Sequence, residues 1–145
     1  MISTKGRYAL RLMIDIATYS NGNPVSLKDV SKRQDISIKY LEQVVSLLVK
    51  GNLLISIRGN NGGYILSRDI SSYDTYEILT VAEGSLAPIS CLQGEINICP
   101  RVNNCTTIDY WKDYYEVIKN YTKSVKLIDL VEKEKNYNNI DDYSI

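Results

Sequence analysis

The chain has 145 residues, three cysteines, twelve tyrosines, no histidine and a formal charge of zero. Without histidine it lacks both the commonest general base and the commonest metal ligand, which argues against an enzyme. No stretch nears the about 18 apolar residues of a membrane span, and the start, Met1 to Arg7, has no signal-peptide core, so the expectation is a cytoplasmic protein with no membrane contact.

Residues 3–20 read as a helix, with Ala9, Leu12, Met13, Ile16 and Ala17 on one apolar face. Asn21-Gly22-Asn23-Pro24 ends it. Ser26 opens a short second helix that runs to about Arg33, in a capping-box-like start with Asp29 in place of Glu. Gln34-Asp35-Ile36 makes a turn. Ser37 then caps a third helix over roughly 38–50, with Ile38, Leu41, Val45 and Leu48 expected to face inward and Gly51 to close it.

Residues 53–57 and 64–66 are strand-like, and Arg58-Gly59-Asn60-Asn61-Gly62-Gly63 between them is a hairpin signal. Helix, short helix, longer helix and hairpin follow one another in the order of a winged helix. Residues 74–83 predict another helix, stopped by Gly84. Beyond a glycine- and proline-punctuated loop, Trp111, Tyr114, Ile118, Tyr121, Val125 and Ile128 recur with heptad spacing, which predicts a long helix with a seam for a second copy of the chain. Asn and Thr at 120–122 are poor helix-interior residues and mark a candidate break. The fold class is therefore mainly α, a winged helix-turn-helix with a long C-terminal dimerisation helix. Its expected divisions are a DNA-binding domain over 1–83, a cysteine-bearing loop over 84–106, a dimerisation helix over 107–134 and a flexible tail over 135–145.

The zero net charge hides a split. Residues 1–70 carry ten Lys and Arg against five Asp and Glu, and residues 71–145 carry seven against twelve. The first half attracts a polyanion and the second repels it. In a helix-turn-helix the second helix of the pair enters the major groove with its N-terminal residues. Those residues are Ser37, Lys39, Tyr40, Glu42 and Gln43. Gln pairs with adenine and Glu with cytosine, while Lys39 suits phosphate. Arg58 and Gly59 on the hairpin suit a minor groove, where glycine permits close approach. Lys5, Arg7, Lys28, Lys32 and Arg33 are phosphate candidates.

Cys91, Cys99 and Cys105 lie within fifteen residues of one another. In a reducing compartment an odd, clustered set of thiols points to metal or redox chemistry rather than to disulfides. Thiolates are the usual ligands of iron–sulfur clusters. Three cysteines without histidine make a poor structural zinc site, and three free thiols are the remaining alternative.

Three segments carry a family resemblance: Ser3-Thr4-Lys5-Gly6-Arg7-Tyr8-Ala9, Ser37-Ile38-Lys39-Tyr40-Leu41-Glu42-Gln43 and Ile57-Arg58-Gly59-Asn60-Asn61-Gly62-Gly63-Tyr64. With the downstream cysteines they resemble the Rrf-two (BadM-type) family of bacterial transcription regulators, in its iron–sulfur-sensing branch, from Ile2 to about Glu132. The resemblance implies a homodimer on a partly palindromic double-stranded DNA operator. It places Tyr40, Glu42 and Gln43 on the recognition helix, makes Arg58 the wing arginine, and gives the three cysteines a two-iron or four-iron cluster, three-cysteine ligation leaning towards four. The family's histidine ligand is matched here by Ile108, and the first-helix aspartate that some members use is matched by Tyr8. The fourth ligand is therefore open among Asp109, Asp15, Glu83, a small molecule and a thiol from solution. The expected function is a repressor or dual regulator sensing iron, cluster status, nitric oxide or redox state. The alternative is a cluster-free regulator of cysteine metabolism governed by a partner enzyme.

Overall fold

A computed structural model describes residues 1–143. Helix α1 spans Thr4–Tyr19, α2 Leu27–Gln34 and α3 Ile38–Lys50. Each begins on a serine whose hydroxyl accepts a first-turn N–H: Ser3 from Lys5, Ser26 from Asp29 and Ser37 from Tyr40. The α2–α3 turn uses Asp35 in the left-handed region, at φ 53°.

Strands β1 (Leu54–Ile57) and β2 (Gly63–Leu66) pair antiparallel, with Leu54 opposite Leu66 and Ile57 opposite Gly63. Val25 and Tyr64 exchange backbone hydrogen bonds of 3.0 and 2.9 Å, stitching the α1–α2 connection to the hairpin. Gly63 makes this possible, since a Cβ there would lie 2.3 Å from the Val25 carbonyl oxygen. Helix α4 spans Thr75–Glu83, capped by Asp74, and Gly84 turns the chain out of it at φ 85°.

Helix α5 runs Ile108–Ser124 and α6 runs Leu127–Tyr143. The single long helix of the sequence reading is thus two, and the break falls at Val125–Lys126, later than 120–122. Its cause is long-range. Thr75 N donates to Val125 O at 2.9 Å and Leu127 N donates to Tyr73 O at 3.1 Å, so residues 73–75 pull 125–127 out of helical pairing. The Thr75 hydroxyl adds a bond to Thr122 O at 2.7 Å. Asp129 then accepts the Lys126 N–H and restarts the helix.

After the break α6 turns back onto α1. Leu127 and Val131 are buried in the same core as Leu12, Met13, Ile16, Leu41, Leu48 and Ile78. The segment expected to fray is helical to Tyr143, and 144–145 lie outside the described residues. Two smaller differences concern α3 and the hairpin. Ile38 is 44% exposed and Val44 takes its place in the buried face. Fully buried Tyr73 ties the hairpin to α6: its hydroxyl donates to Leu53 O and accepts from Ser67 N, both at 2.9 Å.

Burying a leucine of α6 in the core has a measurable cost. Leu127→Ala is expected to lower stability by about 2–5 kcal/mol, read from the urea midpoint. An unchanged midpoint would place α6 outside the cooperative core.

Candidate nucleic-acid interface and cysteine loop

Lys39, Glu42 and Gln43 are exposed on the first two turns of α3. The Ser37 hydroxyl serves as the helix cap at 3.2 Å from Tyr40 N. Tyr40 is half-buried, its ring edge-on to Tyr8 with centroids 5.2 Å apart. That contact sets the first turns of α1, which carry exposed Lys5 and Arg7, against the start of α3. The guanidinium of Arg11 lies 5.5 Å from the Tyr8 ring centre. A groove lined by Glu42, Ser46 and Lys50 on one side and by Ser56 and Tyr64 on the other joins α3 to the hairpin. A second groove joins Ser26 and Asp29, at the start of α2, to Asn60, Asn61 and Gly62 at the hairpin tip. Exposed Lys28 sits on that same first turn. Arg58 and Gly59 are exposed at the tip, where Gly62 N closes the turn on Gly59 O at 3.0 Å.

The cations of this half fall into two groups. Among the described residues, Lys5, Arg7, Lys28, Lys32, Lys39 and Arg58 make no ion pair. Arg33 and Arg68 are already engaged. Arg33 binds buried Asp15 at 2.7 Å and stacks over the Tyr19 ring at 4.1 Å. Arg68 pairs with Glu77. Arg33 is therefore already partnered, unlike the other phosphate candidates. Asp15 holds it well protonated, through the hydrogen bond first, against a smaller opposing effect of burial.

The cysteine loop runs between α4 and α5 with two short 3-10 turns, Ser90–Leu92 and Val102–Asn104. Cys91, Cys99 and Cys105 are free thiols and all half-buried. Cys99 N donates to Asn97 Oδ1 at 3.0 Å, and Cys105 Sγ lies 3.5 Å from Thr107 Oγ1. Desolvation pushes the Cys91 thiol up, and its contact with Cys99 adds to this. Cys105 is held down, by the Thr107 hydroxyl first, then by backbone N–H groups and the charge of Arg101.

The candidate fourth ligands separate by what they already bind. Asp15 is buried under Arg33 and Gln34. Glu83 accepts three hydrogen bonds from the start of α1. Asp109 is free by comparison, its side chain 89% exposed and 3.9 Å from Lys112. Ile108, the first residue of α5, offers only hydrocarbon.

The family model for Rrf2, described as an iron-dependent transcriptional regulator, matches residues 2–133. The chain is 38% identical over 133 residues to the HTH-type transcriptional regulator IscR of Yersinia pseudotuberculosis, covering 92% of this chain and 80% of that one. The chain belongs to the Rrf2 family. Among solved structures it is similar to CymR, the global cysteine regulator of B. subtilis, with a TM-score of 0.73 and 32% identity over 92% of this chain and 97% of that one. It is equally similar to IscR of T. potens, with a TM-score of 0.72 and 31% identity over 92% and 88%. As an Rrf2 member it is a DNA-binding transcription regulator and not an enzyme.

In this Rrf2 chain the outward stripe of α5 is turned from the predicted seam. Trp111 and Ile118 are half-buried and line a cavity of their own chain with Ile2, Leu79 and Leu86. The exposed apolar residues are Tyr110 at 62%, Val117 and Tyr121 at 68%, and Tyr114. Their spacing of four, three and four still makes a heptad stripe. The three thiols supply soft donors of the kind iron–sulfur clusters take. Among the described residues, no three metal-ligating side chains are gathered closely enough to hold an ion as they stand. Gly94 and Pro100 lie in the stretch that would have to close.

The two thiol environments predict an order of reactivity. A lowered pKa leaves more thiolate at a given pH, so Cys105 is expected to be alkylated before Cys91 in metal-free, reduced protein near neutral pH. Timed iodoacetamide labelling with peptide mass mapping reads this, and faster labelling of Cys91 would reverse the assignment.

Proposed function

We propose that this chain is a homodimeric repressor or dual regulator that grips a partly palindromic operator with α3 and the hairpin. In this reading its operator affinity is set by an iron–sulfur cluster on Cys91, Cys99 and Cys105. The observation that carries the DNA face is the sorting of cations. Among the described residues, Lys5, Arg7, Lys28, Lys39 and Arg58 have no protein counterion, while Arg33 and Arg68 are spent on internal carboxylates. Unpaired cations are what a phosphate backbone can recruit. Gln43 and Glu42, exposed between them, read base edges, with Tyr40 and Ser37 holding the helix start. The tyrosine stripe of α5 supplies the surface for a second copy.

Three half-buried free thiols on one loop support the cluster, as does the similarity to IscR proteins. Asp109 or a small ligand from solution completes the donor set. Bound there, the cluster supplies a labile iron–thiolate centre that responds to iron, redox state or nitric oxide. The similarity to CymR favours a second reading, a cluster-free regulator of cysteine metabolism that answers to a partner enzyme.

Gln43→Ala is expected to weaken operator binding by roughly ten- to a hundredfold, the cost of one bidentate base contact. Arg58→Ala is expected to weaken binding and lower its salt slope by about one. Fluorescence anisotropy across a salt series measures both, and wild-type affinity in both variants would move the DNA face elsewhere. Anaerobically reconstituted wild type is expected to be coloured, and Cys91→Ala, Cys99→Ala and Cys105→Ala are each expected to lose the visible absorption. Colourless wild type that still binds the operator would leave the second reading standing.

A further inference from the structure

Glu83 is the last residue of α4, one step before the cysteine loop. Its Oε1 accepts from Ser3 N at 2.8 Å, Ser3 Oγ at 2.8 Å and Gly6 N at 2.9 Å. These donors belong to the start of α1, where first-turn N–H groups have no partner within the helix. A carboxylate there also meets the positive end of the helix dipole. One oxygen of one side chain therefore takes up much of the hydrogen-bonding capacity at the start of the helix that bears Lys5 and Arg7.

Gly6 shows that the approach is specific. It is buried within α1, where glycine costs about 1 kcal/mol relative to alanine. Its backbone is not among those with positive φ, so no turn demands it. What demands it is space. A Cβ at Gly6 would lie 2.4 Å from Glu83 Oε1 and 2.9 Å from Ile2 Cγ2. On the other side of Glu83, Gly84 swings the chain into the loop. The root of that loop, Ser85 to Pro88, lines one cavity of about 420 Å³ together with Met1, Ile2 and Trp111. The start of α1, the root of the cysteine loop and the first turn of α5 meet at this junction.

We infer that Glu83 is a positioning residue that couples the cysteine loop to the operator grip. Ordering the loop fixes the end of α4, and the end of α4 holds the first turn of α1 through Glu83, so the two free cations there keep their register with the phosphates. A coupling of this kind is a difference in affinity between two states of the protein. The inference rests on the sensor reading above.

The test uses the full chain, as wild type, Glu83→Ala and Glu83→Gln, each prepared cluster-free and anaerobically reconstituted with iron and sulfide, with visible absorption checking the loading. Operator Kd is measured for both forms of each. In wild type the two values are expected to differ by about 5- to 150-fold. In Glu83→Ala the ratio is expected to fall to within about twofold of one while the absorption is retained. Glu83→Gln keeps an acceptor oxygen and is expected to retain most of the ratio. A purely structural role would weaken both forms of Glu83→Ala by the same factor and preserve the ratio, which overturns the inference. Should Glu83→Ala not fold, Gly6→Ala carries the same measurement, since its added methyl displaces Oε1 while favouring the helix. A wild-type ratio of one overturns the sensor reading and the coupling together. A wild-type ratio that both variants leave intact overturns the coupling alone.

Discussion

The carboxylate of Asp15 is the constraint on which the N-terminal half depends. Its side chain is fully buried, on α1, and accepts from Arg33 at 2.7 Å and from Gln34 at 3.0 Å, both at the end of α2. Taking a carboxylate out of water is expensive, and leaving it unpaired more so. Any slide of α1 against α2 would do that. Arg11 strengthens the joint by donating to the side chain and backbone carbonyl oxygens of Gln34. The angle between these helices is thus fixed by directional bonds as well as by apolar contact. Because α3 follows α2 through a tight left-handed turn at Asp35, the pose of α3 inherits that rigidity.

The acidic second half completes a division of labour. Three of its carboxylates neutralise or cap: Glu77 engages Arg68, Asp74 caps α4, and Asp129 caps α6. Among the described residues, Lys5, Arg7, Lys28, Lys39 and Arg58 of the first half make no ion pair. The chain's overall neutrality therefore says little about its affinity for nucleic acid, because the charges are segregated along the chain.

Most of the first half was legible in sequence because its signals are local. Ser26, Ser37 and Gly51 act within a turn of themselves, and α1, α2 and α3 were placed within a residue or two. The hairpin followed from its glycines and asparagines. What was not legible depended on partners far along the chain. The break at Val125 is made by Tyr73 and Thr75, some fifty residues away, so helix propensity alone put it too early. Heptad spacing located a stripe on α5 but not that Trp111 and Ile118 would line a cavity of their own chain while Tyr114 and Tyr121 stay exposed. Arg33 looked like any other surface cation until Asp15 came into contact with it. At the cysteine loop the sequence supplied the donors, and the fold then showed which carboxylates were already occupied.

Trp111 is the sole tryptophan of the chain. It lies at the junction of the loop root and α5, edge-on to Tyr110 and Tyr114 at 5.0 and 5.9 Å. Indole emission from this protein therefore originates at one place, and tyrosines close enough for energy transfer surround it. The root of the cysteine loop and the start of α1 line the same cavity, so the unlabelled protein carries its own optical gauge of any movement between them.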